Sequence, residues 1–101
     1  ISSKKRKAAI FESINNKAFS VYLRLDVKDK HGILSDIAKV MASNKVSIKR
    51  LIQNPTENKK NSSIIIITHH AKSSSLVKTL SSLKNKKYII SKPKLIRIED
   101  I

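Results

Sequence analysis

At 101 residues and 40% hydrophobic side chains, the chain has material for one small domain with a two-layer core, which excludes a second core. The absence of cysteine excludes a disulfide framework and thiolate chemistry, and a single glycine excludes the glycine-rich loops that cradle nucleotides. The net charge of +15 allows two readings: a footprint for nucleic acid or an anionic membrane, or the drift of a chain rich in Lys, Ile, Asn and Ser. Residue types favour the second, because only Arg6, Arg24, Arg50 and Arg97 are arginines and aromatics are 4%, too few for base stacking. We therefore expect neither a nucleic-acid nor a membrane partner. No apolar run approaches spanning length, nothing at the start reads as a signal peptide, and a first residue of Ile1 suggests a piece of a longer protein.

Residues 1–17 carry the basic cluster Lys4-Lys5-Arg6-Lys7 and then a sparse apolar stretch ending at Asn15-Asn16. We read them as a linker from a preceding region, part of which could dock on the body as a short helix or strand. Strand one runs from about Phe19 to Val27, where Val21, Leu23, Leu25 and Val27 alternate with polar neighbours. Helix one follows from about Ile33 to Asn44, with Ile33, Ile37, Val40 and Met41 along one side. Asn44-Lys45 ends it, since asparagine tolerates the left-handed cap.

Strand two spans about Val46 to Asn54, with a change of phase at Lys49-Arg50 that reads as a bulge, and Pro55 stops it. Thr56 to Asn61 form a polar hairpin loop. Strand three covers Ser62 to His70, and its run Ile64-Ile65-Ile66-Ile67 suggests a central strand covered on more than one side. One of Ser73, Ser74 or Ser75 caps helix two, which reaches about Asn85 with Leu76, Val77, Leu80 and Leu83 as its apolar stripe. Strand four runs from about Tyr88 to Glu99 and is interrupted by Pro93, which places it at a sheet edge.

This order, βαββαβ, predicts a ferredoxin-like α+β sandwich: an antiparallel four-stranded sheet with two helices on one face. The opposite face would carry Tyr22, Arg24 and Arg97, and such domains hide that face or an edge against a copy of themselves or another domain.

No catalytic constellation is present: there is no activated nucleophile, no paired acids and no phosphate loop, so the chain reads as a non-enzyme. The adjacent pair His69-His70 points to opposite faces of a strand, so both cannot easily ligate one ion, and we expect no metal. The turn from Asp29 to Leu34 is the better candidate. There the period changes from two to helical, and the lone glycine, Gly32, falls where a helix exposes its first unpaired N–H groups. In one reading the amides of Gly32, Ile33 and Leu34 face a carboxylate while Asp29 accepts from an ammonium group, a spacing suited to a free α-amino acid. In the other, Asp29 bonds its own turn and the helix end meets water; spacing alone leans this way.

The stretch Tyr22-Leu23-Arg24-Leu25-Asp26-Val27-Lys28-Asp29-Lys30-His31-Gly32-Ile33-Leu34 resembles the opening of an ACT domain, a regulatory amino-acid-binding module. More narrowly, it is similar to the C-terminal ACT domain of bacterial homoserine dehydrogenases. Val46 to Gln53, Ile65 to His69 and Leu95 to Asp100 resemble the later strands of that domain, so the similarity covers Ala18 to Ile101. The resemblance implies a domain at 18–101 that senses threonine on behalf of a cytoplasmic enzyme of threonine and methionine biosynthesis, or, since not every ACT domain binds a ligand, one that only joins two copies of that enzyme. That enzyme's NAD(P) would belong to a catalytic region elsewhere, with no cofactor in this chain. It also implies a homodimer by side-by-side sheet extension. The ligand would then lie between Asp29, His31, Gly32, Ile33 and Leu34 of one copy and Ile52 and Gln53 of the other. His31 stands where the family has proline, and an imidazole there would make the site sensitive to pH between acid and neutral.

Overall fold

The computed structural model describes residues 17–29, 31–55 and 60–98. The expected linker, apart from Lys17, and most of the expected hairpin loop lie outside them. The elements are β1 (Ala18–Lys28), α1 (Ile33–Ser43), β2 (Ile48–Pro55), β3 (Asn61–Thr68), β4 (Ala71–Lys72), α2 (Ser73–Lys84) and β5 (Lys94–Ile98). All strand pairs are antiparallel; β1 is flanked by β3 and β5, and β3 by β2. The two-residue β4 resumes the pairing with β1, through Phe19↔Ala71, after a bulge at His69-His70. The sandwich expected from element order is thus the fold observed, with β4 added.

Strand alternation decides the core. Val21, Leu23, Leu25 and Val27 of β1 and Ile64 and Ile66 of β3 are buried with Ile33, Ile37 and Met41 of α1 and Leu76 and Leu83 of α2. Both helices therefore cover the same face, where burial of their apolar stripes supplies the main cohesion. The isoleucine run is central, as expected, but it alternates: Ile65 and Ile67 are only half-buried on the open face, beside Arg24 and Tyr22. Among the described residues the run is fully covered on the helix side alone.

Other details depart from expectation for local reasons. Helix α2 is capped by Lys72 in extended conformation with no side-chain bond, so the serines lie inside the first turn. Val77 is 61% exposed, and Thr79 takes its place in the buried stripe. Thr79 can be buried because its hydroxyl donates to Ser75 O at 2.8 Å, one turn back. At the end of α1 the left-handed residue is Lys45, φ +61°, while Asn44 donates its side-chain amide to Val40 O at 2.9 Å. The bulge in β2 falls between Ile48, paired with Thr68, and Arg50, paired with Ile67.

The last strand is shorter than its sequence pattern. Among the described residues Lys94–Ile98 pairs continuously; upstream of Pro93 a single bridge, Val27↔Ile89, remains. It lies at the edge, as the proline requires, since among the described residues β5 pairs with β1 alone. Arg97 sits opposite Val21 on the helix side, not on the open face with Tyr22 and Arg24. Arg97 stays exposed on that side, and its guanidinium lies 4.8 Å from the centroid of the Phe19 ring.

Candidate functional site

The junction of β1 and α1 is built from backbone first. Past Lys28 the chain leaves the sheet, and the Asp29 N–H donates to Lys60 O at 2.6 Å, tying the turn to the β2–β3 hairpin. Gly32 then adopts φ +83°, a left-handed conformation that glycine reaches without strain, and serves as the N-cap of α1. No side chain caps this end. The first helical bond is Asp36 N–H to Gly32 O at 2.9 Å, so the amides of Ile33, Leu34 and Ser35 have no intrahelical acceptor. These amides carry the positive end of the helix dipole.

They open on a cavity of about 370 Å³ that also touches Asp29, His31 and Gly32. Val27 and Ile64 supply an apolar floor, and Gln53 comes in from β2. Gln53 is paired with Ile64, and its side chain reaches Ser62 Oγ at 3.5 Å, the long limit of a hydrogen bond. Among the described residues no donor bonds the Asp29 carboxylate, so the aspartate holds its turn through its N–H and not through its side chain.

Of the residues singled out from sequence, Asp29, His31, Gly32, Ile33, Leu34 and Gln53 surround this one cavity. Ile52 does not. It pairs with Ile65 on the open face, because neighbours on a strand project to opposite sides. Gln53, moreover, faces the turn of its own chain, where a second copy had been expected to supply it. Sequence reasoning missed Val27, Lys28, Ser35 and Ile64 at this cavity. Ser35 was within reach, as the next amide of the first turn; Ile64 required the β1–β3 register.

On the far side of the first turn, Asp36 accepts the Tyr88 hydroxyl at 2.6 Å and lies 3.3 Å from Lys86 Nζ. The tyrosine hydrogen bond, with help from Lys86, holds the Asp36 carboxyl below its ordinary value. Partial burial, and then the same carboxylate, push the Tyr88 phenol well above its own. His70 Nδ1 lies 3.4 Å from Ser20 Oγ, and His69 N–H donates to Ser47 O. Among the described residues no cluster of three or more His, Cys, Asp or Glu is placed to hold a metal ion. No helix among them is long and apolar enough to cross a membrane.

A family model described as the ACT domain matches residues 21–87. The chain is 30% identical over 79 residues to the homoserine dehydrogenase of Helicobacter pylori, covering 78% of this chain and 19% of that protein. It is 30% identical over 81 residues to that of Methylobacillus glycogenes, covering 79% and 20%. It thus spans about a fifth of the length of the curated relatives it matches. Among solved structures, a homoserine dehydrogenase from Thiobacillus denitrificans aligns with a TM-score of 0.76 at 25% identity, over 86% of this chain and 19% of that one. The ACT domain of a GTP pyrophosphokinase from Chlorobium tepidum shares the fold, with a TM-score of 0.61 at 15% identity over 80% of this chain and 99% of that one.

Proposed function

The chain belongs to the ACT domain family, and from that premise we propose that it is the amino-acid-sensing regulatory domain of a homoserine dehydrogenase, with threonine as its ligand. The observation that carries this reading is the cavity in which an uncapped helix start, the Asp29 carboxylate and Gln53 face one another. Its size lies at the small end of ligand pockets, which run from about 300 to 1,000 Å³. The ligand carboxylate would take the amides of Ile33, Leu34 and Ser35, where the helix dipole favours negative charge. The ammonium group would donate to Asp29. Gln53 would meet the side-chain hydroxyl, and Val27 and Ile64 the methyl group.

Regulation then needs a difference in affinity. Threonine must bind the inhibited state of the enzyme better than the active one, and the shift can be no larger than that difference. The reduction of aspartate semialdehyde to homoserine, with NAD(P), would be carried out by a catalytic region, since this chain has one glycine and no dinucleotide loop. The assembly we propose is a homodimer in the cytoplasm, joined by sheet extension. Strand β2 supports it, because among the described residues it pairs with β3 only, which leaves its outer edge open, beside Leu51 and Leu34, each 37% exposed.

Calorimetry of the 101-residue chain against a panel of amino acids tests the proposal. Threonine should give saturable heat and exceed the other members. Silence across the panel at millimolar concentration would leave a dimerisation module in its place.

A further inference from the structure

Tyr88 grips the candidate turn at both of its ends. Its backbone carbonyl accepts the N–H of Lys28, the last residue of β1, at 2.9 Å. Its hydroxyl donates to Asp36, in the first turn of α1, at 2.6 Å. Everything proposed to touch the ligand's charged groups, from Asp29 to Ser35, lies between those two attachments. The residue is itself firmly held: Ile89 bridges to Val27, the Ile90 N–H donates to Asp26 O at 2.9 Å, and the Ser91 hydroxyl donates to Asp26 Oδ2 at 2.8 Å. Lys86 reaches the same Asp36 oxygen as Tyr88.

Core packing cannot supply this grip. Ile33, Ile37 and Met41 keep α1 on the sheet, but apolar burial is non-directional and fixes position along the helix axis weakly. A short hydrogen bond to a carboxylate is directional and stronger than a neutral one. We propose that Tyr88 is a positioning residue for the amino-acid site, setting the separation between the end of β1 and the first amides of α1. This rests on the reading of that turn as the ligand site. It also implies a physical route outward, because any ligand-driven movement of the first turn pulls on the segment that leads into β5.

The test is Tyr88→Phe in the whole chain, which removes the hydroxyl and keeps the ring against the core. Two readouts are taken: threonine affinity, and amide hydrogen exchange residue by residue. The expected result is an affinity about tenfold weaker, the loss of one hydrogen bond to a charged group. Exchange should quicken at Lys28, Asp29 and Asp36, whose N–H groups donate to Tyr88 O, Lys60 O and Gly32 O, and stay unchanged in the Ile64–Ile66 core of β3. Asp36→Ala should give the same pattern, and the double variant should be no worse than either single one. Unchanged affinity with unchanged exchange in the turn would overturn the proposal. So would exchange that quickens throughout the core, which marks a structural role only. If the wild-type chain takes up no amino acid, the reading of the site fails; the exchange comparison then decides by itself whether Tyr88 sets the turn.

Discussion

The two helix starts of this domain differ in what the preceding strand leaves open. Neither α1 nor α2 has a side-chain cap. Before α2, the short strand β4 keeps the chain paired with β1 up to the N-cap Lys72, and the first amide, that of Ser73, donates to Lys17 O at 3.0 Å. Before α1, the chain departs from the sheet at Lys28, turns through a left-handed Gly32, and leaves the first amides facing a cavity. A helix dipole is common to both ends. What makes one a candidate site is the void before it, the carboxylate of Asp29 across it, and the outside grip of Tyr88.

Substitutions can break or sharpen this contrast. The two helices should be equal in their anchoring: Ile37→Ala in α1 and Leu83→Ala in α2 each remove a fully buried side chain. Each should cost about 2–5 kcal/mol in urea unfolding. A near-zero cost at either position would mean that one helix is not seated as described. The next effect should separate them. Asp29→Asn should weaken threonine binding by roughly 10- to 150-fold, the loss of a charged hydrogen bond, with stability within about 0.5 kcal/mol. Ser73→Ala at the other helix start should leave binding unchanged in the same calorimetric experiment.

Caps should follow the same division. At Gly32 an added Cβ would meet no atom within 4 Å, so Gly32→Ala is limited by its φ of +83° alone. It should cost about 1–2 kcal/mol, read from chemical denaturation. Lys72→Ala, in ordinary extended backbone, should stay within about 0.5 kcal/mol. The smallest effect is a pH dependence. Asp36 is held below its ordinary value of 3.8, so its contribution is present above that value and lost as pH falls through the folded one. Tyr88 is held above 10.0, so its contribution is present below that value and lost as pH rises through the folded one. The gap in urea midpoint between wild type and Tyr88→Phe should therefore be widest between about pH 5 and pH 9 and narrow at both extremes. A gap that is flat with pH would show that the pair adds nothing to stability.

Much of this was readable from residue order because periodicity changes abruptly at one point. Val21 to Val27 alternate and Ile33 to Met41 recur at helical spacing, so both flanks of Gly32 were placed, and with them the turn. What could not be read depends on contacts distant in sequence. Choosing Gln53 over Ile52 requires the phase of β2 beyond its bulge, which is set by pairing with β3. Thr79 displaces Val77 only because its hydroxyl can be satisfied within the helix. The link from Tyr88 to Asp36 joins residues 52 apart, and nothing in the local pattern of either announces it.

The central claim is that the start of α1 receives the α-carboxylate of a free amino acid. Amide chemical shifts recorded while threonine is titrated into the chain address it residue by residue. The expected result is saturable shifts at Gly32, Ile33, Leu34, Ser35 and Gln53, with Ser73 to Ser75 at the start of α2 unmoved. Silence at all of these up to millimolar threonine, or shifts confined to α2, would contradict it.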